Sequence, residues 1–382
     1  MDEQGKNIKH LLCGLAATPN PFFLLTEFLL PKDSFIKDIL NLEEKIGKIN
    51  TDLFGKNKYD GIELVLWGMF DEDWNIREKR FNYFYKNKIP VHTFHACFET
   101  FPKKFKSIYL NLAENNSQTR RSLKAHLELV SRWNKDRTIL VVHPGTVKNK
   151  NEKKQGIKNV INNLEFALNL AKKNNIIICI ENMSWGWESN NVSFCSEYTD
   201  LKYILNCFKD PNLKIIFDWG HLNSCLLDKN FRNYYYQDSQ DFSGFKHINH
   251  FIDELGVNIV HTHLHYNRSH QNLFTDFGEG AFKKMLIYLF FWTGVSKFVR
   301  RKRNKNFYDE HLTLNKIEAE YYEGYRKTIK NLINKTSIAD YGYITHEYAP
   351  KKIFKFIPYS QKGATEDDFI KSLHILKKMI AE

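Results

Sequence analysis

Short apolar runs alternate with amphipathic helical patterns along nearly the whole chain. Eight of these runs are typical of buried strands, because they are apolar and bounded by polar sequence. The clearest helical pattern between them runs from Ile157 to Ala171, with apolar residues three and four positions apart. This alternation predicts a parallel α/β sheet closed into a (β/α)8 TIM barrel, a single domain over residues 1–382. The predicted strands are 10–15, 61–66, 89–95, 138–143, 176–181, 215–218, 257–263 and 342–347.

One interval between predicted strand ends is about twice as long as the others. The chain runs 84 residues from His263 to Glu347, whereas the four preceding intervals span 37 to 48 residues. We therefore predict an insertion between strands 7 and 8, at about 283–325. Its segment 285–303 joins an apolar run to a basic cluster and is too short to span a bilayer. It is either a helix packed outside the barrel or a surface that contacts a membrane or a partner.

Side chains that can bind metal stand at the carboxyl ends of six predicted strands, where a TIM barrel holds its active site. Each alone has a structural explanation, since a carboxylate can cap a helix and a histidine can pack in a core. Glu181, however, ends an all-apolar run, and a buried carboxylate is costly unless it is paired or bound to metal. The repetition at six ends predicts a metal site. The candidate residues are His95, His143, Glu181, Asp218 with His221, His263, and Glu347.

The mixture of imidazole and carboxylate groups constrains the metal. Such a set favours Zn, Mn, Fe or Co over Mg or Ca, which prefer shells made of oxygen alone. Two carboxylates beside one ion can also exchange protons with either face of a bound substrate. The pattern thus indicates acid–base chemistry assisted by a divalent metal.

Aromatic and basic residues near the strand ends suggest a sugar-like substrate. Trp185, Trp187 and Trp219 follow directly on two of the candidate carboxylates. Aromatic faces stack on the C–H faces of sugars, although ordinary packing at the rim explains them equally well. Arg268, after the seventh strand, could bind a phosphate or hydroxyl oxygen.

Charge and cysteine content add little to this interpretation. Lys+Arg 56 against Asp+Glu 44 gives a net charge of +12, which suits phosphate-bearing partners or an anionic surface. Many of the lysines lie among asparagines and isoleucines, so part of this charge reflects compositional bias. The six cysteines form no Cys-x-x-Cys pair, and the polar N-terminus lacks a signal-peptide core. We expect free thiols and a cytoplasmic location.

Short sequence motifs around the candidate residues resemble those of the xylose isomerase-like TIM barrels. That family includes sugar and sugar-phosphate isomerases or epimerases and apurinic endonucleases of the endonuclease IV type. The resemblance runs from about Tyr59 to Glu347, excluding the insertion, and its motifs are specific through their order and spacing. They stand at 59–64, 95–98, 143–145, 181–183, 218–221, 263–267, 278–280 and 347.

The resemblance implies one or two divalent ions, and we predict Mn or Zn. The ligands shared across the family match Glu181, Asp218, His263 and Glu347. His95 and His143, together with Glu181, match the ligands of a second ion in the endonuclease branch. His221 matches a further ligand or a substrate contact, and we favour the substrate contact.

The chain departs from the endonuclease branch in the loop after the seventh strand. The Asp-x-His of a third zinc site would fall at Asn272 and Phe274, and Tyr266 replaces the usual Asp. These departures argue against a trinuclear DNA-repair enzyme, although His270 or Asp276 could substitute if the loop shifts.

We therefore predict a metal-dependent isomerase or epimerase of carbohydrate metabolism that acts on a sugar or sugar phosphate. The resemblance gives Glu181 and Glu347 the exchange of a proton at the carbon beside a carbonyl. One alternative is a metal-dependent phosphodiesterase or apurinic endonuclease, favoured by His95, His143 and the basic charge. Another is a barrel without catalysis that binds partners through its insertion. The predicted substrate contacts are His221, Arg268, Trp185 and Trp219.

Overall fold

Eight parallel strands form a closed barrel, which confirms the predicted (β/α)8 fold. Around the barrel the order is β1-β8-β7-β6-β5-β4-β3-β2, so each strand pairs with its neighbours in the chain and β1 closes against β8. The strands are β1 (Lys9–Cys13), β2 (Gly61–Val65), β3 (Val91–His95), β4 (Thr138–Val142), β5 (Ile176–Glu181), β6 (Leu213–Asp218), β7 (Ile259–Leu264) and β8 (Tyr343–His346). The computed structural model describes residues 8–13, 53–66, 69–71, 73–86, 89–97, 110–133, 137–147, 149–184, 192–227, 244–266, 312–317, 319–348 and 364–382.

Helices connect the strands and cover the outside of the barrel. They are α1 (Glu78–Lys86), α2 (Ser117–Trp133), α3 (Lys153–Lys173), α4 (Tyr198–Phe208), α5 (Trp219–Leu227), α6 (Gly244–Leu255), α7 (Ala319–Lys335), α8 (Ile338–Tyr341) and α9 (Glu366–Ala381). Short 3-10 turns are present at Lys150–Glu152, Gly256–Asn258 and Leu314–Lys316, and Thr146–Val147 pairs with Val192–Ser193 in a small antiparallel sheet. In α3 the buried Val160, Leu164 and Leu168 recur at helical spacing, so this face packs on the barrel. At the start of α9, Thr365 and Asp368 form a capping box, in which each side chain accepts from the backbone N–H of the other.

An apolar plug occupies part of the interior of the barrel below the candidate site. Its members are Ile139, Val141, Ile177, Cys179, Ile216 and Val260, all buried. Because side chains alternate along a strand, the next inward position after Cys179 is Glu181, and the next after Ile216 is Asp218. The polar groups at the strand ends therefore stand directly above an apolar floor, away from bulk water.

Most of the predicted insertion at 283–325 lies outside the described residues, including the whole of 285–303. The structure describes only the end of the predicted insertion, at 312–317 and 319–325. Leu312 forms a two-way backbone bridge with Tyr266, with N···O distances of 2.8 and 2.9 Å, and α7 then packs against α6. The boundaries of the insertion stay a prediction. In the described part of the chain, no helix has the length and apolarity needed to cross a membrane.

Candidate metal centre

The predicted metal ligands and one predicted substrate contact, His221, converge at the carboxyl end of the barrel. They are His95, His143, Glu181, Asp218, His221, His263 and Glu347. Parallel strands that end at one rim bring these side chains together, although they are far apart in the sequence. The side chain of Glu347 is 14% exposed, whereas that of Glu181 is 1% exposed. Glu347 therefore lies nearest to the mouth of the barrel.

Four of these residues are spaced like the ligands of a single ion. Nδ1 of His263 lies 3.2 Å from Oε1 of Glu181, 3.5 Å from Oδ2 of Asp218 and 3.2 Å from Oε2 of Glu347. Ligands about 2.1 Å from a tetrahedral ion stand about 3.4 Å apart. Oδ2 of Asp218 is also buried and has no hydrogen-bond partner among the described residues, so it is an acceptor that a cation would satisfy. The four side chains fit a divalent metal ion.

The second oxygen of Glu181 faces a different pair of ligands. Oε2 lies 3.0 Å from Nε2 of His95 and 2.9 Å from Nε2 of His143. Nδ1 of His95 is 2.9 Å from the carbonyl oxygen of Ala96, an arrangement that assigns the proton to Nδ1 and leaves Nε2 for a ligand role. Glu181 is thus placed to bridge two metal positions, one through each oxygen.

Asp218 acts both as a helix cap and as a candidate ligand. Its Oδ1 accepts a 2.6 Å hydrogen bond from the backbone N–H of His221, in the first turn of α5. This bond turns Oδ2 toward His263. His221 is itself buried, and its Nδ1 lies 2.9 Å from the carbonyl oxygen of Asn182 and 3.3 Å from Oε1 of Glu181. Its ring therefore borders the centre, as expected for a ligand or a substrate contact.

Two neighbours fix the position of Asp218. Oδ1 of Asn182 accepts from the backbone N–H of Asp218 at 2.7 Å, and Nδ2 of Asn182 donates to its carbonyl at 2.8 Å. Nε2 of His265 lies 3.2 Å from Oδ1 of Asp218. The imidazole of His265 lies against Gly220, where an added Cβ would come within 1.7 Å of the ring. A glycine is required at this position for the ring to reach Asp218.

A buried glutamate below the centre was missed by the sequence interpretation. Oε1 of Glu63 lies 2.7 Å from Nε2 of His263, and Oε2 lies 2.8 Å from Nε2 of His261. Only carboxylates at strand ends were considered as ligands, whereas Glu63 stands in the middle of β2. The sequence contains a signal for Glu63, because a glutamate within a fully buried strand needs hydrogen-bonding or charged partners. His261 is a candidate partner, since it lies on the same strand face as His263. His265, which supports Asp218, was missed as well.

The charges within this cluster stabilise one another. Although burial opposes the shift, His143 and His263 lower the pKa of Glu181 well below its ordinary value. Burial also opposes the shift at Asp218, where neighbouring imidazoles lower the carboxyl pKa. Burial would lower the pKa of His263, but the surrounding carboxylates, Glu63 first among them, raise it well above its ordinary value. The carboxylates are therefore held as anions, the form in which they bind metal.

Of the other three predicted substrate contacts, the structure describes only Trp219. Trp219 is 1% exposed and stacks on Tyr325, with ring centroids 4.8 Å apart. Packing between the barrel and α7 accounts for this indole, and it has almost no surface left for a substrate. Trp185 and Arg268 lie outside the described residues, as do Asn272 and Phe274, and His270 and Asp276, the positions considered for a third zinc site. Their roles stay predictions.

The chain shares sequence with proteins of one family. Residues 54–303 match the family described as xylose isomerase-like TIM barrel. A segment of 122 residues is 28% identical to the protein named Probable endonuclease 4 from Mycoplasmoides gallisepticum (strain R(low / passage 15 / clone 2)). That similarity covers 31% of this chain and 38% of the relative, so the chain spans less than half the length of that protein.

Solved structures resemble the whole chain in fold. A D-tagatose 3-epimerase-like protein superposes with a TM-score of 0.53 at 18% identity, over 97% of both chains. The D-allulose 3-epimerase from Methylomonas sp. in complex with D-allulose gives 0.52 at 9% identity, over 98% of this chain and 97% of that one. The family match covers well over half of the residues and agrees with the motifs at the strand ends. The chain is therefore a member of the xylose isomerase-like TIM barrel family.

Proposed function

We propose that this protein is a divalent-metal-dependent isomerase or epimerase acting on a sugar or sugar phosphate. One observation carries the proposal: Glu181 and Glu347 face Nδ1 of His263 from different strands, each at 3.2 Å. Two carboxylates placed around one ion can act on two faces, or two adjacent carbons, of the same substrate. The similarity in fold to a D-allulose 3-epimerase supports a sugar as substrate.

A divalent ion, Mn or Zn, would be held by Glu181, Asp218, His263 and Glu347. When bound, such an ion polarises a carbonyl and stabilises the negative charge that develops on its oxygen. Asp218 and His263 orient the centre, because their other atoms are already engaged by the backbone of α5 and by Glu63. The apolar floor below excludes water from that side and strengthens the electrostatic interactions above it.

The two glutamates accept and donate the proton that is exchanged. We assign its removal from the carbon beside the carbonyl to Glu347, because this carboxylate is the more exposed of the pair. Glu181 would return a proton to the opposite face, and because it is an anion at rest it must first take that proton from Nε2 of His95, 3.0 Å from its Oε2; the roles reverse for the reverse reaction. His221, beside Glu181, is placed to bind a substrate hydroxyl group.

Solvent exchange tests this function directly. The metal-loaded protein would be incubated in D2O with a panel of ketohexoses, ketopentoses and their phosphates, and deuterium at carbon would be followed by NMR. We expect deuterium at the carbon beside the carbonyl in at least one sugar, together with its epimer or isomer. If the metal-loaded chain exchanges no C–H proton in any member of the panel, the proposal is wrong.

A phosphodiesterase is the second candidate, and a specific observation favours it. His95 and His143 both face Oε2 of Glu181, which is the arrangement of a second ion beside the first. The similarity to Probable endonuclease 4 supports the same candidate, although it covers less than half of that protein. Cleavage of duplex DNA at an abasic site, with loss of cleavage in His143→Gln and no exchange in the sugar panel, would favour this function over the first.

A further inference from the structure

We infer that Glu63 is a positioning residue of the metal centre. It holds His263 from below, so that Nδ1 of this imidazole points at the ion, and thereby sets the affinity of the site. The inference deepens the proposed function and rests on the metal centre described above. It concerns a residue that contacts neither substrate nor ion.

Glu63 is fixed by three donors, which lie on two other strands. Its Oε2 accepts from Oγ1 of Thr93 on β3 at 3.0 Å and faces Nε2 of His261 on β7 at 2.8 Å. Its Oε1 faces Nε2 of His263 at 2.7 Å. The carboxylate is fully buried. Both oxygens are therefore engaged, and the side chain has one orientation.

Glu63 lies on the opposite side of the His263 ring from the candidate ligands, because it faces Nε2 whereas they face Nδ1. Glu63, His261 and His263 lie close enough together to be considered as a separate metal site. Their contacts of 2.7 and 2.8 Å, however, have the length of hydrogen bonds, and Oε2 of Glu63 already accepts from Oγ1 of Thr93. They match charge-assisted hydrogen bonds instead. Glu63 therefore acts on the ion only through the opposite nitrogen of His263.

His261 secures Glu63 in turn. Its Nδ1 lies 3.2 Å from the carbonyl oxygen of Tyr343 on β8, and its Nε2 lies 3.3 Å from Oγ1 of Thr345. The ring thus links the Glu63 carboxylate to the backbone of the strand that leads to Glu347. Four strands of the barrel are connected through one buried carboxylate.

A carboxylate on the remote N–H of a ligating histidine has two effects. It fixes the tautomer and the orientation of the ring, and it makes the coordinating nitrogen more basic. Loss of such a partner typically weakens metal binding by about 10–100-fold. We expect a change of this size when Glu63 loses its charge.

Three variants separate positioning from general stability. Glu63→Gln keeps the size of the side chain and removes the charge. Thr93→Val removes one hydrogen bond to Glu63 and leaves His263 and the carboxylate in place. The matched control is Glu197→Gln, because Glu197 is also buried at 2% exposure but caps α4 through the backbone N–H of Thr199.

The readouts are the Zn(II) dissociation constant, measured by competition with a chromophoric chelator, and the visible absorption spectrum of the Co(II) form. Glu63→Gln should bind Zn(II) about 10–100-fold more weakly and shift the Co(II) bands, since the imidazole donor changes. Thr93→Val should weaken binding in the same direction by a smaller factor. Glu197→Gln should match the wild type in both readouts.

The outcomes separate this inference from the proposed function. A folded Glu63→Gln variant with the affinity and Co(II) spectrum of the wild type would overturn the inference alone. Should that variant not fold, a Thr93→Val variant indistinguishable from the wild type would overturn it equally. A wild-type chain that binds neither Zn(II) nor Co(II) would overturn both the inference and the proposed function. Normal metal effects without sugar exchange would overturn the function and leave the role of Glu63 standing.

Discussion

Glu181 and Glu347 meet at one atom, since Nδ1 of His263 lies 3.2 Å from Oε1 of the first and 3.2 Å from Oε2 of the second. The two glutamates belong to β5 and to the end of β8, which are separated in the barrel by β6 and β7. Closure of the barrel therefore creates the pair. The first prediction tests the proton transfer that we assign to this pair of glutamates.

Replacing Glu347 by glutamine should abolish turnover and preserve the fold. Glutamine has nearly the same size but can neither accept nor return the proton, so the rate of C–H exchange should fall by about 10²–10⁴-fold. The rate is measured by deuterium incorporation, and the fold by circular dichroism. Glu128→Gln, at an exposed position of α2, is the matched control and should keep the wild-type rate. Full exchange activity in Glu347→Gln would remove this residue from the mechanism.

Removal of metal should lower the thermal stability of the protein. The carboxylates of the centre lose their counter-ion, and a ligand at 1,000 times its Kd contributes about 4 kcal/mol to the folded state. Melting curves with excess Zn(II) or Mn(II) and with chelator should therefore differ by several degrees.

Asp218→Asn provides the control for that measurement. Asparagine caps a helix as well as aspartate does, so the contact with the N–H of His221 is preserved while the charged ligand is lost. The metal-dependent shift in melting temperature should shrink strongly in this variant. An unchanged shift would show that the ion binds elsewhere.

Replacing Gly220 by alanine should destabilise the protein and weaken metal binding together. The new Cβ would come within 1.7 Å of the His265 ring, so the ring must move away from Oδ1 of Asp218. We expect a loss of about 1–3 kcal/mol in the free energy of unfolding, as for other overpacked sites. Gly244→Ala is the matched control, because among the described residues no atom outside the glycine's own helix and chain neighbours lies within 4 Å of the Cβ position there. Equal stability of the two variants in urea unfolding would contradict this interpretation.

His126 should make the protein less stable as the pH falls below 6.5. Burial lowers the pKa of this imidazole from 6.5 to about 4. Its Nε2 accepts from the N–H of Cys97 at 3.1 Å, and Nδ1 lies 2.8 Å from the carbonyl oxygen of Ser122, so the folded state holds the neutral form. The unfolded chain binds the extra proton between pH 6.5 and 4. The stabilisation is therefore fully present above pH 6.5 and is lost toward pH 4, by about 2 kcal/mol between pH 7 and pH 5.

Urea unfolding of the wild type and of His126→Gln at several pH values checks this prediction. The other histidines titrate in both proteins, so the difference between the two pH profiles isolates His126. The wild type should lose more stability on acidification than the variant does. Parallel profiles would show that His126 does not contribute.

The sequence by itself determined the barrel and the cluster of candidate ligands at the strand ends, because both follow from local pattern. Alternating strands and helices dictate a parallel barrel, and Glu181 at the end of an apolar strand must meet a partner or an ion at the rim. The resemblance to the family followed from the sequence motifs at the same strand ends. None of these inferences needs the distance between residues remote in the chain.

Only the tertiary structure decided how the side chains share their roles. The sequence predicted Asp218 as a ligand, and the fold engages its Oδ1 as a helix cap while its Oδ2 lies 3.5 Å from Nδ1 of His263. Trp219, next to it, turned out to pack on Tyr325, since the direction of a side chain at a helix start depends on what packs there. Glu63 was missed because its partner His263 lies 200 positions away in the sequence. The cost of burying this carboxylate is offset only when the barrel closes and brings β2 and β7 within hydrogen-bonding distance of one side chain.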